Sequence, residues 1–326
     1  MHITYFFRKL RPGAFSIENL FLNFQMELPV GIKYTNHFLS RQSDGFLNRI
    51  KLVWETFRKR GEVNHITGDV NFIVLLLPKG KTILTIHDIE SLNRNNRLTN
   101  FLLQLFWLRM PVARVKYVTV VSQTTKDKLL KALTVNPDKV VVIPNAISPE
   151  FTYQPKSFNK VNPTILQVGT KYNKNLERTI EALAGIACTF MIVGQLTHEQ
   201  EKLLIKYKIN YKNHVGITNE ELRTLYAQAD IVTFVSLFEG FGVPILEAQA
   251  TGRPVITSNC SSMPEVAGSG ALLVDPINVS EIRDGILKLL QDDELRTNLI
   301  AAGLENCKRY SNKAIAQQYI DLYKKL

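Results

Sequence analysis

Glu239 and Glu247 stand eight positions apart in the segment F-E-G-F-G-V-P-I-L-E-A, residues 238–248. A fixed carboxylate accepts hydrogen bonds from a vicinal diol, and charge-assisted bonds are the strong ones. Spacing alone carries little weight, because the chain holds 29 Asp and Glu residues and chance supplies several such pairs. A loop acid and a helix-dipole acid, worth under about 1 kcal/mol, would look the same. The surroundings say more. The apolar run 231–235 reads as a strand, so Glu239 falls in the loop at its carboxyl end. Gly240, Phe241 and Gly242 let the backbone turn tightly, and Pro244 suits the first turn of a helix, where its missing N–H costs nothing. A helix beginning there presents free N–H groups and a positive dipole end, which an anionic diphosphate needs.

A second loop, V-G-T-K-Y-N-K-N-L over 168–176, also follows a strand. A glycine at a strand end, then cations and a helix start, is a phosphate-binding layout. It makes Gly169, Thr170, Lys171 and Lys174 candidates, with solvated lysines as the plain alternative. In the first half, strand 82–86 runs into His87 and Asp88, so His87 also sits at a strand's carboxyl end. H-I-T-G-D over 65–69 ends another strand, where Thr67 or Asp69 could equally serve as a cap.

Short β-rich runs alternate with stretches of helical period, the pattern of α/β layering with parallel sheets. Strands are expected over 2–7, 31–34, 63–66, 82–86, 117–121 and 139–143, and helices over 16–24, capped by Ser16, 46–58, 99–109 and 122–132. The polar, proline-flanked stretch 153–163 reads as a linker. Beyond it come strands 164–168, 189–193, 214–217, 231–235, 254–258 and 271–274. Helices 176–183, 199–206, 220–229 and 244–250 lie between them, and helices 280–290, 294–309 and 313–325 close the chain. The order predicts two doubly wound α/β domains, 1–152 and 164–326, joined by 153–163, with a cleft between them. In such sheets ligands bind outside the carboxyl ends of the strands.

With 45 % hydrophobic and 21 % charged residues the composition is that of a globular protein. No run approaches the roughly 18–20 apolar residues of a membrane span, and no leader pattern is visible, so a cytoplasmic protein is expected. Cys188, Cys260 and Cys307 read as reduced thiols. Residues 1–150 hold 21 Lys and Arg against 11 Asp and Glu, whereas residues 151–326 hold 19 against 18. A basic first half attracts nucleic acid, anionic lipid headgroups or a phosphorylated acceptor. No D-x-D triplet, G-x-G-x-x-G after a strand, P-loop or zinc spacing occurs, so neither metal nor cofactor is expected.

The order strand, acid, G-F-G, Pro, helix, acid, then A-Q-A-T-G-R-P-V-I-T-S resembles the E-x7-E signature of retaining glycosyltransferase family 4, the glycogen-synthase-like class. The 168–176 loop is similar to that family's V-G-T-x-x-x-R-K-N-L, one residue shorter and with Asn173 where an Arg is common. T-I-H-D-I, V-S-Q-T-T-K, V-I-P-N-A-I and Met263-Pro264-Glu265 resemble further family elements. The likeness covers residues 60–326 well and the first 60 weakly. The usual glycine-rich loop is not evident, and only Arg11-Pro12-Gly13 stands in its place.

The resemblance implies a GT-B protein: two Rossmann-like domains facing across a cleft, the first for the acceptor and the second for a nucleotide sugar, with the last helix crossing back to the first. It implies that Glu239 faces the transferred sugar, Glu247 holds the ribose, and the amides of Gly240, Phe241 and Gly242 lie against the donor. Lys174 would meet the diphosphate, with Lys171 as a substitute for the missing Arg, and His87 would approach the donor sugar. The implied activity is retaining, metal-independent transfer from a nucleoside-diphosphate sugar to a saccharide or lipid-linked acceptor, as in cell-surface polysaccharide biosynthesis. A sugar-nucleotide epimerase of the same architecture and a basic nucleic-acid-binding protein are the rival readings. Peripheral contact with an anionic inner membrane is a further expectation. Helix 99–109, with Phe106 and Trp107, could dip into that interface or face the core.

Overall fold

The computed structural model describes residues 1–10, 16–89 and 103–326. The Arg11-Pro12-Gly13 segment, the first part of helix 99–109 and the Ser16 side chain expected to cap α1 lie outside the described residues. The chain divides into two compact units, Met1–Ala146 with Asn312–Leu326, and Ile147–Ser311.

The first unit runs β1 (His2–Phe7), α1 (Ser16–Gln25), β2 (Lys33–Phe38), α2 (Phe46–Arg58), β3 (Val63–Ile66), β4 (Thr82–Ile86), β5 (Tyr117–Val120), α3 (Gln123–Ala132) and β6 (Val140–Val142). Its six strands pair in parallel in the order β2-β1-β3-β4-β5-β6. The chain leaves β1 for β2 on one side and returns to β3 on the other, so the loops after β1 and β3 part at a topological switch point. Alternate residues serve opposite faces of the sheet. Ile3, Tyr5 and Phe7 join one core, and Phe6 joins the other with Leu52, Ile66 and Leu84.

Helix Asn312–Tyr323 packs on the first of these cores, although the whole second unit separates it from β6 in the chain. Tyr319 stacks on Phe24 at 4.8 Å. The Tyr323 hydroxyl donates to the Tyr5 hydroxyl (3.0 Å) and lies 2.6 Å from His65 Nδ1. His65 Nε2 continues the chain to Thr85 Oγ1 at 2.7 Å. His65 is fully buried, and that burial pulls its pKa down to about 3. The histidine of H-I-T-G-D is therefore a packing residue, and Thr67 donates its hydroxyl to the Phe6 carbonyl (3.0 Å). Removing one buried hydroxyl partner costs about 1–3 kcal/mol. Tyr323→Phe is expected to lower stability by that amount, read as a reduced urea midpoint of the first unit's transition. An unchanged midpoint would show that the network contributes nothing. Because the unfolded histidine protonates first, this contribution weakens as pH falls below the ordinary histidine value.

The second unit runs β7 (Thr164–Val168), α4 (Leu176–Ala182), β8 (Thr189–Val193), α5 (His198–Lys206), β9 (Tyr211–His214), α6 (Asn219–Gln228), β10 (Ile231–Phe234), α7 (Val243–Thr251), β11 (Val255–Ser258), α8 (Met263–Ala267), β12 (Leu272–Val274), α9 (Val279–Gln291) and α10 (Asp293–Cys307). Its parallel order is β12-β11-β10-β7-β8-β9. Here the switch point lies between β7 and β10, so the loops after those strands meet there.

Several boundaries differ from expectation, for identifiable reasons. The edge strands β2 and β9 occupy 33–38 and 211–214 instead of 31–34 and 214–217. Both are polar, K-Y-T-N-H-F and Y-K-N-H, and are set by pairing with β1 and β8, not by their own apolar pattern. Unit two begins at Ile147, and residues 153–163 belong to it instead of bridging. Asp230, buried, accepts from the Asn159 and Thr164 amides (3.0 and 2.8 Å) and pairs with Lys156. Arg253 donates to the Gln154 carbonyl (2.7 Å), and the Arg296 guanidinium covers the Phe158 ring at 3.7 Å. In the described part of 99–109, residues Leu105–Arg109 form a π-helical turn. Trp107 packs on Phe72 (5.1 Å) beneath the Arg49 guanidinium (4.5 Å), so this turn faces the core through Trp107 and Leu108.

Candidate functional site

In the second unit, the loops after β7 and β10 are tied to each other at the switch point. Asn175, buried and left-handed (φ 58°), donates its amide to the carbonyls of Val235 (3.0 Å) and Pro276 (2.7 Å). The Leu237 N–H donates to the Asn173 carbonyl (2.8 Å), and the Asn173 amide donates to the Phe238 carbonyl (3.2 Å) and to Glu239 Oε1 (3.1 Å). Lys174 Nζ reaches the same Glu239 oxygen at 2.6 Å and lies 4.6 Å from the centre of the Phe234 ring. The Lys174 stem crosses over Gly169, where a Cβ would stand 2.9 Å from Lys174 Cγ. With φ 99° at that position, only glycine lets the lysine pass.

The 239–242 turn is held from β11's side. Ser261 Oγ donates to the Glu239 carbonyl (2.8 Å), and Ser262 Oγ donates to the carbonyls of Phe241 (2.7 Å) and Glu239 (3.1 Å). Gly242, at φ 113°, caps α7, and Pro244 occupies its first turn. Glu247 follows one turn later. Its Oε2 accepts a 2.7 Å hydrogen bond from the hydroxyl of Tyr226, a fully buried residue of α6. Burial lifts the Glu247 pKa to about 7, against the opposing pull of the Tyr226 hydrogen bond and the Lys174 charge. The arrangement therefore offers one carboxylate paired with a cation, a second poised near neutrality, and a helix start beside them.

The expected residues divide by what their side chains do. Lys174 and Glu239 touch, and Glu247 feels the Lys174 charge. Thr170 gives its hydroxyl to the Gln195 carbonyl (2.6 Å), which leaves its backbone N–H as the group offered at the strand end. Lys171 is exposed. The Phe241 ring is buried edge-on to Tyr310 (5.7 Å), so only its main chain can meet a ligand. Asn173 stands where a cation was sought, and it positions Glu239 instead. Tyr226, Asn175, Ser261 and Ser262 were not anticipated, since their roles arise from partners far along the chain. Among the described residues, no three His, Cys, Asp or Glu side chains gather as a metal site.

His87 belongs to the first unit, at the carboxyl end of β4. It is half-buried, and its Nε2 donates to the Thr67 carbonyl (2.7 Å), so in the neutral ring Nδ1 is the acceptor. Burial lowers its pKa despite the carbonyl partner. Gly68 makes room for it: a Cβ there would stand 2.6 Å from His87 Cδ2. At this unit's own switch point, a cavity of about 200 Å³ is lined by Arg8, Lys9, Arg41, Ser43, Asp69 and Trp107, among others. Arg8 is held there by Glu18 (2.8 Å) and Asp69.

Two family models match the chain in succession. That described as Glycosyltransferase Family 4 matches residues 26–151, and that described as Glycosyl transferases group 1 matches residues 150–306. The chain is 44 % identical over 110 residues to O-antigen chain mannosyltransferase B of Escherichia coli, covering 34 % of this chain and 29 % of that protein. It is 30 % identical over 206 residues to the O-antigen chain mannosyltransferase RfbU of Salmonella typhimurium, covering 59 % and 56 % respectively. The matches thus span no more than about half the length of these relatives. Among solved structures, Anabaena HepE in complex with UDP and glucose superimposes with a TM-score of 0.81 over the whole of both chains at 16 % identity, a likeness of fold.

Proposed function

The chain belongs to the group 1 glycosyltransferases of family 4 and has their GT-B fold; from that premise we propose that it transfers a sugar, mannose above all, from a nucleoside-diphosphate sugar to a saccharide or lipid-linked saccharide. The observation that carries the reading is the 2.6 Å Lys174–Glu239 contact at the switch point, beside the start of α7. Mannose comes from the names of the two O-antigen relatives, and so does a place in the assembly of a polysaccharide of the O-antigen kind.

In this reading Glu247 accepts from the ribose diol and Glu239 from the hydroxyls of the transferred sugar. The bond from the anomeric carbon to the diphosphate oxygen breaks, and the acceptor oxygen forms the new bond on the same face, giving retention. The acceptor proton goes to the departing diphosphate. Lys174, Lys171 and the amides of Thr170, Gly240, Phe241 and Gly242 stabilise the charge that develops on that diphosphate, so no metal step is invoked. For His87, a residue of the first unit, the family resemblance supplies a role toward the donor sugar, and the basic cavity of that unit offers Arg8, Lys9 and Arg41 to an anionic acceptor.

A thermal-shift panel of nucleotide sugars, with and without a chelator, tests the donor. A GDP- or UDP-linked sugar at about 100 times its dissociation constant is expected to stabilise the protein by about 2.7 kcal/mol, equally in the presence of chelator. Labelled donor should then pass its sugar to an acceptor with the anomeric configuration kept. No stabilisation by any nucleotide sugar, or conversion of the label to an epimer without acceptor, would overturn the proposal.

A further inference from the structure

Four large apolar side chains stand exposed on α2: Phe46 (73 %), Leu47 (71 %), Ile50 (50 %) and Trp54 (51 %). At 3.6 residues per turn, positions 46, 50 and 54 stack along one side with Leu47 beside them. Leu52 and Thr56, on the opposite side, are buried in the first unit. The helix therefore has two apolar faces, one for the unit's core and one facing out. Scattered surface apolar residues need no explanation, but a continuous outward stripe marks an interaction surface.

The borders of the stripe are cationic. Residues 41–60 contain six Lys and Arg against two acids. Arg58 leans over the Trp54 ring (5.8 Å) and Arg60 over the Phe57 ring (4.1 Å). Arg41, Lys51, Arg58 and Lys59 surround Trp54 in a depression of about 330 Å³. Of the two acids, Asp44 accepts from Asn48 (3.2 Å), and Glu55 is engaged by His37 Nε2 (2.9 Å) and by the amide and hydroxyl of Ser40 (3.0 and 2.6 Å). An apolar stripe between cations is the pattern of a helix that lies in a membrane interface. Among the described residues no helix is long and apolar enough to cross a membrane.

We propose that α2 docks the first unit onto an anionic lipid surface. Phe46, Leu47, Ile50 and Trp54 enter the boundary between headgroups and acyl chains, while Lys51, Arg58, Lys59 and Arg60 meet headgroup phosphates. A second copy of the chain fits this face poorly, because a symmetric pair would set the same cations against one another. The docking surface stands apart from the donor chemistry and does not depend on which sugar is transferred.

The test is co-sedimentation of the full chain with vesicles of phosphatidylcholine alone or with about 30 % phosphatidylglycerol, read together with tryptophan emission. The chain should bind the anionic vesicles only, less well at high salt. Its emission should shift to the blue on binding, and the shift should vanish in Trp54→Phe. Lys51→Glu with Arg58→Glu should weaken vesicle binding at least about tenfold, and Ile50→Glu should weaken it comparably. Since these positions are exposed, melting curves and the donor-induced thermal shift should stay as in the parent, which separates failure here from failure at the donor site. Equal binding to neutral vesicles, or undiminished binding by the charge-reversed variant, would overturn the proposal. So would a dimer in sedimentation velocity that Trp54→Glu dissociates, since the face would then belong to a second copy.

Discussion

Glu247→Gln is expected to lose the donor-induced rise in melting temperature while making the ligand-free protein more stable above neutral pH. Both effects follow from one carboxylate. Burial raises its pKa to about 7, so the folded chain keeps a proton there that the unfolded chain has already released at ordinary carboxylate values. Between those two pH values stability falls as pH rises, and above the upper one the fold carries a partly buried charge. Glutamine keeps the shape and can still accept from the Tyr226 hydroxyl, but it has no charge to desolvate. At pH 8 the variant should gain on the order of 1–3 kcal/mol, and the parent's decline in stability between pH 5 and 7 should flatten by roughly the same amount. Donor binding moves the opposite way. Two charge-assisted hydrogen bonds to a diol, each about 1.5–3 kcal/mol, are weakened, so affinity should fall about 100-fold or more. Calorimetric titration of the donor, with thermal melts at pH 5 to 8, measures both. A variant that binds like the parent would remove Glu247 from the donor site.

Lys174→Met should lower kcat by about 10²–10³ with a smaller change in KM, the size found when one donor to a developing oxyanion is removed. Methionine keeps an unbranched stem over Gly169, so the loop after β7 retains its path. What disappears is the ammonium, together with its contacts to Glu239 and the Phe234 ring. Glu239→Gln should also depress turnover, with the donor-induced thermal shift kept, because Asn173 and Lys174 still frame the side chain. Rates with saturating donor and acceptor decide the matter. If Lys174→Met turns over like the parent, the stabilising charge lies elsewhere and the roles given to this loop fail.

The two loops of this site were legible because local chemistry marks them. A strand-forming run, two glycines, a proline and an acid leave few other readings of residues 231–247, and V-G-T followed by lysines announces the other loop. The residues that aim those groups carry no such mark. Tyr226 lies in an ordinary amphipathic helix, and only the fold brings its hydroxyl to Glu247. Asn175, Ser261 and Ser262 are polar residues in loops until their carbonyl partners are known. The polar composition of 153–163 suggested a free connection, yet its side chains and amides are used by Asp230, Arg253 and Arg296. For α2, helical period was visible in the sequence. Which of its two apolar faces turns inward was not, because both satisfy the same periodicity.

Helix Asn312–Tyr323 gives the first unit a particular history during synthesis. Residues 147–311 leave the ribosome between β6 and this helix, so the second unit can complete its own core while the first still lacks a wall. At roughly 5–20 residues per second that interval is on the order of ten to thirty seconds. Throughout it Ile3, Tyr5, Phe7 and His65 have no cover from Tyr319 and Tyr323, and the contact that completes the wall joins residues 258 positions apart. A nascent chain in that condition offers an aromatic-rich sheet face to chaperones and to its neighbours on the same messenger. The helix that seals the first unit is thus made only after the second unit, so the first unit's core closes last.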